Sequence, residues 1–125
     1  SFIGAPAMNL LPGQINSDGT RFTLDALNSL PLGESKAKWA NRPLTLGIRP
    51  EHLVLSSQQA GGIPLVVDTL EMLGADNLAH GRIGNTRMVV RLPHSERPQA
   101  GSTLWLHLPP DALHFFDSTH GKRLE

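Results

Sequence analysis

The chain has no cysteine, no net charge and no long apolar run, and each absence narrows what it can be. Without thiols it can build neither a disulfide framework nor a thiolate zinc site, so packing alone must hold the fold, as suits a reducing compartment. Eleven lysines and arginines balance eleven aspartates and glutamates. No net field therefore gathers a phosphate backbone or an anionic membrane, and nucleic acid is not an expected partner. Uninterrupted apolar runs stop at about four residues, against the roughly 20 that span a bilayer, and no charged-then-apolar leader opens the chain. The sequence therefore reads as soluble. It starts at Ser1-Phe2-Ile3-Gly4 without an initiator methionine, which predicts a piece of a longer polypeptide with a domain upstream. Its 125 residues suffice for one compact unit, which would bury roughly two-thirds of its unfolded surface.

Twelve glycines and ten prolines are scattered every few residues. They leave little room for helices longer than about ten residues, so strands are expected. Thr103–Leu108 alternates with Leu104, Leu106 and Leu108 on one face, and Met88–Leu92 does the same with Met88, Val90 and Leu92. Further strands are predicted over Asn9–Ile15, Arg21–Asp25, Leu44–Ile48, Leu65–Leu73 and Leu78–Ile83, each bounded by glycine, proline or asparagine. Gly84-Asn85 reads as a tight hairpin turn, since both residues tolerate positive φ. Residues 27–43 show no period and read as loop, with at most a short strand near Trp39. Trp105 points away from the leucines beside it, and a place in a core between two lobes is preferred to an exposed anchor.

One internal echo carries more. Residues 46–55, LGIRPEHLVL, line up with residues 106–115, LHLPPDALHF, sixty positions on. Strand, proline, acid, turn and strand recur in order. Proline presets φ for the first position of a helical turn, and the acid that follows complements the turn's N-terminal dipole. Duplication of a small β-unit is therefore expected, with lobes over approximately 8–58 and 62–125 and residues 1–7 as a joining segment.

Catalytic motifs are missing. Gly121-Lys122 is followed by Arg123 where a phosphate loop needs serine or threonine, and Phe116 stands where its first glycine belongs. Residues 55–62, LSSQQAGG, have the composition of a nucleotide-cassette signature in scrambled order and read as a connector. The six histidines form neither H-x-H nor H-E-x-x-H, and His80 shares a solvent-facing row with Arg82. Asp68, Glu71 and Asp76 are the nearest carboxylate cluster, and turn caps or solvation explain them as well as acid/base work does. Serine lacks the G-x-S-x-G elbow. Phe22, Trp39, Trp105 and Phe115-Phe116 could stack bases, but no basic groove accompanies them.

Three stretches together resemble one family: FIGAPAMN at residues 2–9, LGIRPEH at 46–52, and LHFFD at 113–117 with GKRL at 121–124. They are similar to the C-terminal domain of carbohydrate-importer ATP-binding subunits, the group that includes the maltose importer's ATPase. Within it, residues 67–76, VDTLEMLGAD, look most like the subgroup serving sn-glycerol-3-phosphate. The resemblance implies an all-β, OB-fold-like (TOBE/MOP-like) barrel of two interleaved repeats with short helical turns only. It implies a regulatory and dimerisation module at the cytoplasmic side of the bacterial inner membrane, peripheral to it and bound to a second copy of the subunit. Permease subunits would be met through the absent domain, and a regulatory protein or small molecule is a further expected partner. ATP and magnesium belong to that upstream domain, so no catalytic, cofactor or metal residue carries over to this chain. Arg49, Glu51 and His52 are the matching positions for an inter-domain or inter-subunit contact; the competing explanation is a turn cap with a local ion pair. The alternative function is sensing of a small anion or solute by the same lobes.

Overall fold

The computed structural model describes residues 6–125. Residues 1–5 of the expected joining segment lie outside them. Eleven strands are formed among the described residues: β1 (Asn9–Ile15), β2 (Arg21–Thr23), β3 (Ser29–Pro31), β4 (Pro43–Ile48), β5 (Val54–Leu55), β6 (Ile63–Met72), β7 (Asp76–Ile83), β8 (Thr86–Pro93), β9 (Thr103–His107), β10 (His114–Asp117) and β11 (Arg123–Leu124). The only helical pieces among these residues are 3₁₀ turns at Ala37–Trp39, Pro50–His52 and Pro110–Ala112. The seven strands read from alternation and turn residues are all present, with ends shifted by one or a few positions.

The strands make two antiparallel sheets, ordered β11-β10-β4-β1-β2-β3 and β5-β9-β6-β7-β8. Shifting each strand number by five turns the run β4-β1-β2-β3 into β9-β6-β7-β8, so the chain is built twice from one five-strand unit. The fifth strand of each unit is exchanged: β5 pairs with β9, and β10 pairs with β4. Val54 faces His107 and Leu55 faces Leu106 in one ladder, while His114 faces Gly47 and Phe115 faces Leu46 in the other. Moving one partner by plus sixty and the other by minus sixty converts the first ladder into the second. The echo at residues 46–55 and 106–115 is thus the pair of crossovers that lace the sheets together.

Inward positions fill a single core. Leu11, Ile15, Phe22, Leu44, Leu46, Ile48 and Phe115 come from the first sheet, and Leu65, Val67, Ile83, Met88, Val90, Leu92 and Leu106 from the second. Burial of each large apolar side chain contributes roughly 1.5–3 kcal/mol. Asn9 is the buried polar exception that joins the sheets: its Nδ2 donates to the Val89 carbonyl and its Oδ1 accepts from the Val89 N–H, both at 2.8 Å. A side-chain amide there does the work of a strand neighbour for β8, which closes one edge of the second sheet.

Two readings need correction. The core tryptophan is Trp39, buried on its 3₁₀ turn with its ring 5.5 Å from Phe115, so residues 27–43 are more structured than loop and also hold β3. Trp105 is only half-buried, opposite Pro64 on the outward face of the second sheet, because the strand's leucines have taken the inward side. The Gly84-Asn85 hairpin forms between Ile83 and Thr86 with positive φ at Gly84 alone, as a turn led by glycine requires.

Candidate functional site

Each crossover is a strand, a short 3₁₀ turn and a strand. Pro50 occupies the start of the first turn and is buried, which fixes the direction in which Glu51 and His52 leave the sheet. The His52 N–H donates to the Arg49 carbonyl at 3.0 Å, and the Ala112 N–H donates to the Pro109 carbonyl at 2.9 Å. Neither turn has a side-chain cap. Glu51 and His52 are exposed and line a groove of about 410 Å³ with Val54, Pro109, Asp111 and Ala112. Glu51 and Asp111 are related by the sixty-residue shift, so the groove gathers residues from both crossovers.

Arg49 leaves this group. The competing explanation is a turn cap with a local ion pair; among the described residues the turn has no side-chain cap, and Arg49, Glu51 and His52 form no ion pair. The guanidinium reaches β10 instead, with Nη1 3.2 Å from Nε2 of His114. Register explains the reach, since Gly47 faces His114 and Arg49 lies two positions further on the same outward face. Gly47 leaves room there, and a side chain on it would collide with Met8 and Phe116.

The remaining chemical candidates disperse. Asp68 pairs with Arg82 at 3.2 Å, Glu71 with His80 at 2.9 Å and Asp76 with Arg91 at 2.5 Å, so each carboxylate has its own basic neighbour and they do not form an acid/base pair. No group of three or more metal-ligating side chains converges among the described residues. An open cleft of about 560 Å³, with Pro12, Gln14, Asn41 and Thr86 on its walls, has no ionisable side chain in its lining. A second, of about 490 Å³, is walled by Met8, Leu10 and Phe116 on the outward face of the first sheet. Sequence reasoning did not single out Val54, Leu55 or Leu10, which stay 47%, 37% and 54% exposed. The alternation of β1 placed Leu10 outward, but nothing local to residues 54–55 told that β5 would be an edge strand.

Two family profiles match. A TOBE domain matches residues 46–116 and a MalK OB fold domain matches residues 4–53. Over 124 residues the chain is 63% identical to the sn-glycerol-3-phosphate import ATP-binding protein UgpC of Escherichia coli O1:K1 / APEC, and equally to that of Shigella boydii serotype 4 (strain Sb227). Identity to the protein of the same name from Escherichia coli (strain K12) is 61%. Each match takes in 99% of this chain and 35% of the relative, so the chain spans about a third of the length of the curated relatives it matches. Among solved structures, the cytoplasmic molybdate-binding protein ModG, in a form with molybdate bound, superposes with a TM-score of 0.68. That pair is 11% identical over 92% of this chain and 98% of the other, a likeness of fold. These matches bear out the resemblance carried by residues 2–9, 46–52 and 113–124. With the stretch from β4 to β10 matched and both crossovers inside it, the chain belongs to the TOBE domain family.

Proposed function

We propose that this chain is the regulatory and dimerisation module of the ATP-binding subunit of an importer, with sn-glycerol-3-phosphate as the solute. The observation that supports this reading is the identity of 61–63% with import ATP-binding proteins along nearly the whole chain. ATP and magnesium are handled by the part of the subunit outside these residues, so the module works mechanically. It holds a second copy of the subunit while the motor parts open and close, and the permease subunits are met through those motor parts. The subunit lies peripherally at the cytoplasmic side of the bacterial inner membrane; no helix among the described residues is long and apolar enough to cross it.

For the contact between copies we select the groove at Glu51 and His52 with its neighbours Val54 and Leu55. Two exposed apolar side chains on an edge strand, flanked by charged groups, give the mixture of apolar centre and polar rim that protein interfaces use. Arg49, turned toward His114 of β10, stands outside this face. Sedimentation velocity over a range of concentrations tests this. A monomer–dimer equilibrium is expected, and Val54→Lys with His52→Glu should weaken it by at least about tenfold, since a charge placed in a desolvated contact is left without a partner. A chain that stays monomeric at every concentration, or a variant that pairs as well as the parent, would refute the assignment.

A further inference from the structure

We infer that the outer edge of β5 pairs with the same edge of a second copy, joining the two second sheets into one across a two-fold axis. This rests on the pairing of copies proposed above and gives its geometry. The molecule carries a template for it in the first sheet. There the exchanged strand β10 is flanked by β11, with Phe115 facing Leu124 and Phe116 facing Arg123. The sixty-residue shift carries Phe115 onto Leu55, yet no strand lies outside β5 among the described residues. After β10 the chain turns back at once, the Gly121 N–H donating to the Asp117 carbonyl at 2.8 Å, and becomes β11. After β5 it must cross into β6 on the far side of β9, so it does not return to cover the edge.

Leu124 helps to shield Phe115, which is 6% exposed, whereas Leu55 stays 37% and Val54 47% exposed. The main chain is open as well. The Ser56 N–H donates to the Trp105 carbonyl at 2.7 Å, toward β9, so alternation turns the Leu55 N–H and carbonyl outward. The first sheet shows the same phase, with the Asp117 N–H donating to the Lys122 carbonyl at 2.7 Å on the β11 side. Neither Leu55 group has a partner among the described residues. The other three sheet edges are each managed. β3 carries Pro31, β11 carries Arg123, and β8 is closed at Val89 by Asn9. β5 has neither proline nor charge.

A second copy fits this edge because the edge is complementary to itself. With Leu55 of one copy opposite Leu55 of the other, antiparallel strands exchange two N–H to carbonyl bonds on the two-fold axis. Val54 then faces Ser56, and Leu53 faces Ser57. Every residue in that stretch is uncharged, so the register sets no like charges face to face. The Gly62 N–H already occupies the Ser57 carbonyl at 2.9 Å, which ends the ladder at that residue. Two hydrogen bonds alone are too few for a stable pair. The exposed Val54 side chains and the groove at Glu51 and His52 supply the rest of the contact.

Amide exchange of the 125-residue chain, followed by NMR over a range of concentrations beside sedimentation velocity, tests the pairing. Exchange at the Leu55 amide should slow as the dimer fills, while that at Ser56, already bonded to β9, stays as it is. Leu55→Pro removes the outward N–H and no bond within one copy, so the amide spectrum outside β5 should persist and pairing should weaken by about tenfold or more. Leu55→Ala keeps the N–H and should weaken pairing less. The exchange measurement on the parent decides by itself if the proline variant does not fold. A parent that is monomeric throughout ends the pairing of copies, and this inference with it. A parent that pairs while its Leu55 exchange ignores concentration, or that loses as much to alanine as to proline, would overturn the edge alone and leave the pairing standing. Protection of Leu55 already at high dilution would mean that the edge is covered within one copy, and would overturn it too.

Discussion

Asp18, Asp25 and Asp117 each hold a turn by accepting hydrogen bonds, and in all three the carboxyl is held below its usual value of 3.8. Donation from the Thr20 hydroxyl and then the Thr20 N–H acts on Asp18. The Asn28 side chain and then the Leu27 N–H act on Asp25, and the N–H groups of His120 and Thr119 on Asp117. A depressed folded value means that the stabilisation is present above the unfolded value and is lost as pH falls through the folded one. Melting temperature should therefore fall below about pH 4, and replacing the three aspartates with asparagine should flatten that fall. Thermal scans between neutral pH and strong acid read the difference; an equal acid slope in the triple variant would show that other carboxylates govern it. Phe22 tests the core at the same scale. It is wholly buried and lies 6.3 Å from Phe115 ring to ring. Phe22→Ala should cost about 3–5 kcal/mol, the sum of lost transfer energy and an unfilled cavity, measured as a shift in the urea midpoint at constant slope.

At the scale of elements, β8 would be an open edge but for Asn9. The Val89 N–H and carbonyl point away from β7, and the Asn9 amide takes both. Asn9→Ala removes two hydrogen bonds and leaves two backbone groups short of partners, so a loss of about 1–3 kcal/mol is expected. Hydrogen exchange at the Val89 amide should speed up more than at β7 amides, which separates loss of this bridge from general loosening. Nothing in the sequence near residue 9 revealed the bridge, because its partner lies eighty positions away. What sequence did reveal follows the same logic. Strands long enough to alternate, such as β8 and β9, were legible since period two is a local signal. β3 and β11 were not, being too short to show a period, and Trp39 was missed because a 3₁₀ turn has none. Arg49 was picked out from a motif, yet its partner His114 comes from register between strands of different units, which no local pattern records. The exchange of β5 and β10 was legible only as an echo of sixty residues.

The whole molecule is two copies of one unit that cannot part. β10 belongs by sequence to the second unit and by pairing to the first sheet, where it supplies Phe115 to the core; β5 makes the reverse exchange. Without β10, β4 would lose one of its two neighbours, and Leu46 would keep Leu11 of β1 but lose Phe115. Without β5, β9 would become an edge. One cooperative transition is therefore expected in calorimetry, with agreement between calorimetric and van't Hoff enthalpies. The stronger test cuts the connector near Ala60, which is exposed between β5 and β6. Fragments 6–60 and 61–125, prepared apart, should each be largely unfolded, because each carries a strand whose ladder lies in the other. Mixed in equal amounts they should regain the strand spectrum and the NMR shifts of Phe115, with complementation saturating at one to one. Two fragments that fold separately and ignore each other would mean that the exchanged strands contribute little, and that the units are neighbours and not an interlaced pair.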